Sequence, residues 1–239
     1  TMTEHIVKAF SEKLEAIATA VAQMGGLVES QLADAVEAIA RRDTALAEKT
    51  VAGDARVDRL QHSIEDQAMK LLALRQPMAV DLRETLAAIK TASELERIGD
   101  LAKNIAKRAI VLNREPPIKL TQSLARMGRA ALSQLKLVLD AFSHRDAQGA
   151  EAVWRNDGEI DEIYNSLFRE LLTYMMEDPR TIGLCTHLLF VAKNIERTGD
   201  HATNIAEVVY YMASGKQLES ERPKADVTST TTIPFERKT

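Results

Sequence analysis

Apolar side chains at Ile6, Phe10, Leu14, Ile17, Val21, Met24, Val28, Leu32, Val36 and Ile39 recur at steps of three and four, which traces one apolar stripe along a single long helix. Arg42-Asp43-Thr44 then offers N-cap chemistry and predicts a second helix, ended at Gln76-Pro77 because a proline disfavours helical geometry in the residue before it. Pro77 itself suits the opening of a third helix. That helix carries Leu82, Leu86, Ile89, Leu95, Ile98, Ile105 and Ile110 to Asn113, where Pro116-Pro117 forces a break. Aromatic residues make up only 4% of the chain while Ala, Leu, Glu, Lys and Arg dominate, so strands are not expected.

The stripe then restarts, and the second half repeats the first. Met24-Gly25 answers Met127-Gly128, Ser30-Gln31-Leu32 answers Ser133-Gln134-Leu135, and Asp43 answers Asp146, all at an offset of 103. Pro77 answers Pro179 at 102, and ERIGDLAKNIA over Glu96 to Ala106 answers ERTGDHATNIA over Glu196 to Ala206 at 100. Eight of those eleven positions are identical, which points to internal duplication. Each half predicts three antiparallel helices, so the expected fold is all-α: two tandem three-helix bundles, six long helices, related by a pseudo-two-fold. Residues 1–114 form the first bundle and 115–215 the second. Residues 216–239 have no helical period, two prolines and a Thr/Ser cluster, and are expected to be a mobile tail.

Composition narrows the function. With one cysteine, Cys185, no internal disulfide is available, and no N-terminal segment resembles a secretion signal, so a cytoplasmic protein is expected. Apolar runs such as Leu188 to Ala192 fall far short of the ~20 residues a bilayer requires. A net charge of -4, from 31 basic and 35 acidic residues, argues against nucleic acid and favours cations or basic protein surfaces as partners.

Glu96 with Asp100, and Glu196 with Asp200, place two carboxylates on one helix face four residues apart. With 35 acids in the chain, about five such pairs arise by chance, so one pair carries little. Helix two of each half, however, carries another, Asp54 with Asp58 and Asp157 with Asp161, at the same 103 offset. Like charges facing one another across a bundle destabilise it unless something offsets them. Hard oxygen ligands suit metal ions, and facing pairs resemble the inward acids of di-iron bundles, although the Glu-x-x-His pairs of those bundles are missing. The competing reading is salt bridging to Arg56, Arg97 or Arg197, or plain exposure to water. His201 follows Asp200, but Leu101 stands at its counterpart, so it is a weak candidate ligand. Gly99 and Gly199, beside the acids, suggest either close helix packing or room for a ligand. No phosphate loop, nucleophile elbow or Cys-x-x-Cys is present, so an enzyme is not expected.

The duplicated ERIGDLAKNIA and NIERTGDHATNIAE, carried on paired three-helix bundles, resemble the PhoU family of phosphate-uptake regulators from residue 1 to about 215. The resemblance implies two side-by-side bundles with surface metal clusters, Asp54, Asp58, Glu96 and Asp100 at one site and Asp157, Asp161, Glu196 and Asp200 at the other. The ions implied are divalent or trivalent: iron, zinc, manganese or magnesium. It also implies a cytoplasmic homodimer, peripheral to the membrane only through its partners, the ATPase subunit of the high-affinity phosphate ABC transporter and the phosphate-sensing histidine kinase. Such a protein represses the phosphate-starvation response when phosphate is plentiful. The alternative is a carboxylate-bridged di-metal helical bundle serving as metal enzyme or store.

Overall fold

The computed structural model describes residues 2–74, 79–156, 158–218 and 225–232, and among them no strand occurs. The first half supplies α1 (Met2–Ala40), α2 (Thr44–Leu74) and α3 (Ala79–Leu112). The second supplies α4 (Leu120–His144), α5 (Ala147–Arg155), α6 (Gly158–Glu177) and α7 (Ile182–Ser214). The expected bundles are therefore present, with one difference: helix two of the second half is split into α5 and α6. Asn156 closes α5, its N–H donating to the carbonyls of Ala152 and Val153, before Gly158 opens α6. Asp157, between them, lies outside the described residues, as does Pro77 between α2 and α3.

The repeated Asp43 and Asp146 do the same job in each half. Asp43 Oδ1 accepts the Leu46 N–H at 3.0 Å, and Asp146 Oδ1 accepts those of Gln148 and Gly149, each at 3.0 Å, so each aspartate caps the helix that follows. The preceding arginines, Arg42 and Arg145, take positive φ of 56° and 50°, making the sharp turn between antiparallel helices. Each backbone conformation costs an L-residue some strain, offset by the hydrogen bonds these side chains make. Arg42 Nη2 donates to the carbonyls of Asn113 and Glu115, while Arg145 grips the Glu84 carboxylate at 2.9 and 3.0 Å.

Met24, Val28 and Leu32 of α1 and Met127, Ala131 and Leu135 of α4 are all fully buried, so the two stripes found in the sequence meet a shared core. The halves join through α1 against α4 and α3 against α7. A methyl group built on Gly25 would lie 2.6 Å from Leu139 Cδ2, and one built on Gly128 would lie 2.5 Å from Val36 Cγ2. The repeated Met-Gly is thus where α1 and α4 cross closely, twice, in antiparallel register. On the other seam Glu94 meets His201 and Arg108 meets His187, again antiparallel.

Candidate functional site

The first-half acids converge. Asp54 and Asp58 come from α2, Glu96 and Asp100 from α3. The Glu96 carboxyl is pushed above its usual range by burial and then by the negative charges of Asp100, Asp58 and Asp54. Lys103, one turn beyond Asp100, inserts its ammonium among them: Nζ donates to Asp100 Oδ1 at 2.8 Å and to Asp54 Oδ2. Those two hydrogen bonds, to Asp100 and then Asp54, raise the Lys103 pKa well above the ordinary lysine range. Arg56 and Arg97 are exposed; the charge of Arg97 still favours ionised Glu96, while the cation that contacts Asp54 and Asp100 directly is Lys103.

Behind the cluster lies Gln31 of α1, buried, with neither amide atom hydrogen-bonded. Methyl groups on Gly53 and Gly99 would each lie 3.4 Å from its amide, and Gly99 also packs against Val57. The Gly99 question therefore resolves toward close helix packing, with a polar side chain as one of the neighbours. Gln134 occupies the repeated position in α4 and is also buried.

The second-half acids are arranged differently. Glu196 is 1% exposed, with no directed hydrogen bond to either oxygen, although Lys193 Nζ stands 2.9 Å from Oε2. Burial raises its pKa, Lys193 counters, and Asp200 and Asp226 push it up further. Asp161 is buried at 2%, its Oδ2 accepting the Ala225 N–H at 2.8 Å. The tail assigned to mobility from residue 216 thus carries, over its described part, hydrogen bonds to α6 and an ion pair to α7. Asp226 Oδ2 lies 3.0 Å from Lys193 Nζ, whose charged form is opposed by burial but favoured more strongly by Glu196 and Asp226. Asp157 is outside the described residues and is not placed.

Lys103, Lys193, Asp226 and Asn165 were not singled out in the sequence. The two lysines do carry a signal, since each lies three residues from an acid of the motif, but neither repeats in the other half. His201 is turned away from the acids of its own motif: its Nδ1 lies 2.6 Å from Glu94 Oε2 across the seam, and Asn204 Nδ2 donates to the same oxygen at 3.2 Å. These bonds outweigh burial and hold the Glu94 carboxyl below its ordinary range. Cys185 is a buried free thiol, and Trp154 is 1% exposed with Nε1 donating to Glu207 at 3.0 Å. Among the described residues no three His, Cys, Asp or Glu side chains close around a single point; in the first cluster Lys103 draws Asp54 and Asp100 onto itself. No described helix is long and apolar enough to cross a membrane.

The sequence model of the PhoU domain matches residues 21–109 and again 124–209. A "Phosphate-specific transport system accessory protein PhoU homolog" of Caulobacter vibrioides strain NA1000 is 58% identical over 229 residues, covering 95% of this chain and all of the relative. Its counterpart in Rhizobium meliloti is 53% identical over 95% of this chain and 96% of its own. The crystal structure of PhoU from Pseudomonas aeruginosa superposes with a TM-score of 0.84 at 38% identity, covering 87% of this chain and all of that one. The phosphate transport system regulatory protein PhoU of Streptococcus pneumoniae gives 0.81 at 30%, over 88% and all.

Proposed function

The chain belongs to the PhoU family, and we propose that it is a cytoplasmic regulator of phosphate uptake. In this reading it represses the phosphate-starvation response by coupling the high-affinity phosphate ABC transporter, through its ATPase subunit, to the phosphate-sensing histidine kinase. The observation that carries the reading is the full-length similarity to relatives named as accessory proteins of the phosphate-specific transport system. A coupling protein needs no catalytic constellation. It needs surfaces that bind two states of a partner with different free energy, and long rigid helices provide them. Deleting the gene should leave starvation genes on in high phosphate, measured as reporter activity; normal repression in the deletion strain refutes the role. The protein acts as a homodimer, which light scattering checks directly.

We also propose that the acidic clusters hold cations. The fit is chemical: each cluster offers several carboxylate oxygens, each already surrounds one ammonium group, and Glu196 has a deeply buried oxygen without a partner. Oxygen donors of this kind accept iron, manganese, magnesium or zinc. In the first cluster Asp54, Asp58, Glu96 and Asp100 would hold the ion, and in the second Asp161, Glu196 and Asp200. The ion supplies positive charge that ties neighbouring helices together in place of the lysine. Protein purified without chelator should contain bound metal by mass spectrometry, reduced by about half in either Glu96→Gln or Glu196→Gln. Metal content unchanged by both substitutions defeats this reading.

A further inference from the structure

Building on the reading that the clusters hold cations, we propose that Asp226, carried on the C-terminal segment, is a ligand of the cation in the second bundle. That site is then completed by the tail, whereas the first is built from helices alone. In each cluster a lysine ammonium marks where positive charge settles. In the first bundle Lys103 Nζ is shared by Asp54 of α2 and Asp100 of α3. In the second, Lys193 Nζ is shared by Glu196 of α7, at 2.9 Å, and Asp226, at 3.0 Å. The lysines do not correspond under the repeat: Thr203 stands where Lys103 would recur and Ser93 where Lys193 would. The two halves have reached the same charge balance from different positions, and the second one uses the tail to do so.

Two further observations point the same way. Glu196 is 1% exposed and its Oε1 accepts no hydrogen bond, and a carboxylate so buried keeps its charge only with a donor or cation beside it, taking up a proton otherwise. Asp161 is tied to the same segment, its Oδ2 accepting the Ala225 N–H, so the stretch that carries Asp226 is fastened to a second acid of the cluster.

Asp226 is also held in a built socket. Asn165 of α6 donates from Nδ2 to the Ala225 carbonyl at 2.7 Å and accepts the Val227 N–H on Oδ1 at 3.2 Å, so one amide grips the backbone on both sides of Asp226. The Thr228 N–H and hydroxyl both donate to Asp226 Oδ1, at 2.9 and 2.7 Å, which leaves Oδ2 turned to the cluster. Lys193 Nζ stands 2.9 Å from Glu196 Oε2 and 3.0 Å from Asp226 Oδ2, so a cation taking the place of the ammonium would meet oxygens of both side chains. Lys193 can withdraw, since its side chain is 40% exposed.

The test is Mn²⁺ binding to the full-length protein by calorimetry, with metal stoichiometry and deuterium exchange of the 225–231 segment measured on the same samples. Two classes of site are expected. Asp226→Asn should weaken one class by about tenfold or more and spare the other, which Glu96→Gln should weaken instead. Asn165→Ala keeps every carboxylate but loosens the tail, and should weaken the same class as Asp226→Asn by a smaller factor. Mn²⁺ should slow exchange of the segment in the wild-type protein. Unchanged affinity in Asp226→Asn, with Mn²⁺ bound in both bundles, overturns the role of Asp226 alone. Faster exchange on adding Mn²⁺ also overturns it, because the tail is then a cover that the ion displaces. Absence of any Mn²⁺ uptake by the wild type overturns both this proposal and the reading beneath it.

Discussion

Glu196 carries a negative charge in a place that disfavours one. Its folded pKa is raised above the ordinary glutamate value of 4.5, by burial first and by Asp200 and Asp226 after the help of Lys193 is counted. A carboxyl raised in this way favours the folded state while protonated, below 4.5, and loses that contribution as pH rises through the folded value. In chelated protein, Glu196→Gln should therefore stabilise at pH 7, and its advantage should fade as pH falls toward 4.5; urea unfolding at the two pH values measures it. Glu94 behaves in the opposite sense. Despite burial its pKa is lowered by His201 and Asn204, so it stabilises the fold above the unfolded value and that contribution disappears as pH falls through the folded one. Glu94→Ala should cost about 2 kcal/mol at pH 7, the order expected for hydrogen bonds to an ionised group, and much less at pH 3. The acids themselves were legible in the sequence because they repeat. Their counter-ions Lys103 and Lys193 were not, nor were the further acids Glu94 and Asp226, because a duplication search discards whatever occurs in one half only.

At the scale of elements, the duplicated Met-Gly fixes how closely α1 and α4 cross. Replacing either glycine with alanine gains about 1 kcal/mol of helix propensity but forces a methyl group into a contact of about 2.5 Å, and overpacking costs about 1–3 kcal/mol. The two sites should differ. Leu139 can turn its end carbons aside, whereas Val36 is β-branched and stiff. Gly128→Ala should thus be the more destabilising by chemical denaturation, and Val36→Ala in the same chain should recover much of the loss. Asp146→Ala should remove about 1 kcal/mol, since Asp146 satisfies two N–H groups at the start of α5. Periodicity and proline positions were enough to read the helices and their pairing. The end of α5 at Arg155 and the start of α6 at Gly158 were not read, because the apolar stripe continues on both sides of them and a stripe alone does not record a short break.

At the scale of the molecule, two seams in antiparallel register lock the repeats into one body with a common core. The matching faces of α1 and α4, and of α3 and α7, make the duplicated halves partners rather than beads on a string. Heating should therefore unfold the whole chain in a single transition, which calorimetry resolves, and, with the cations proposed for the clusters, chelation should lower its midpoint; two separate transitions would contradict a common core. Paired three-helix halves followed from the duplication, but their seam did not, since buried glycines and a cross-seam histidine become informative only once the helices are set side by side. The chain has a single C-terminus, and its described part is moored on α6 and α7. Two separate subunits of one repeat each would bring a loose end apiece and remain equivalent. Within this chain the first repeat runs on into α4, whereas the segment following the second folds back on α6 and α7, so the two lobes are no longer equivalent.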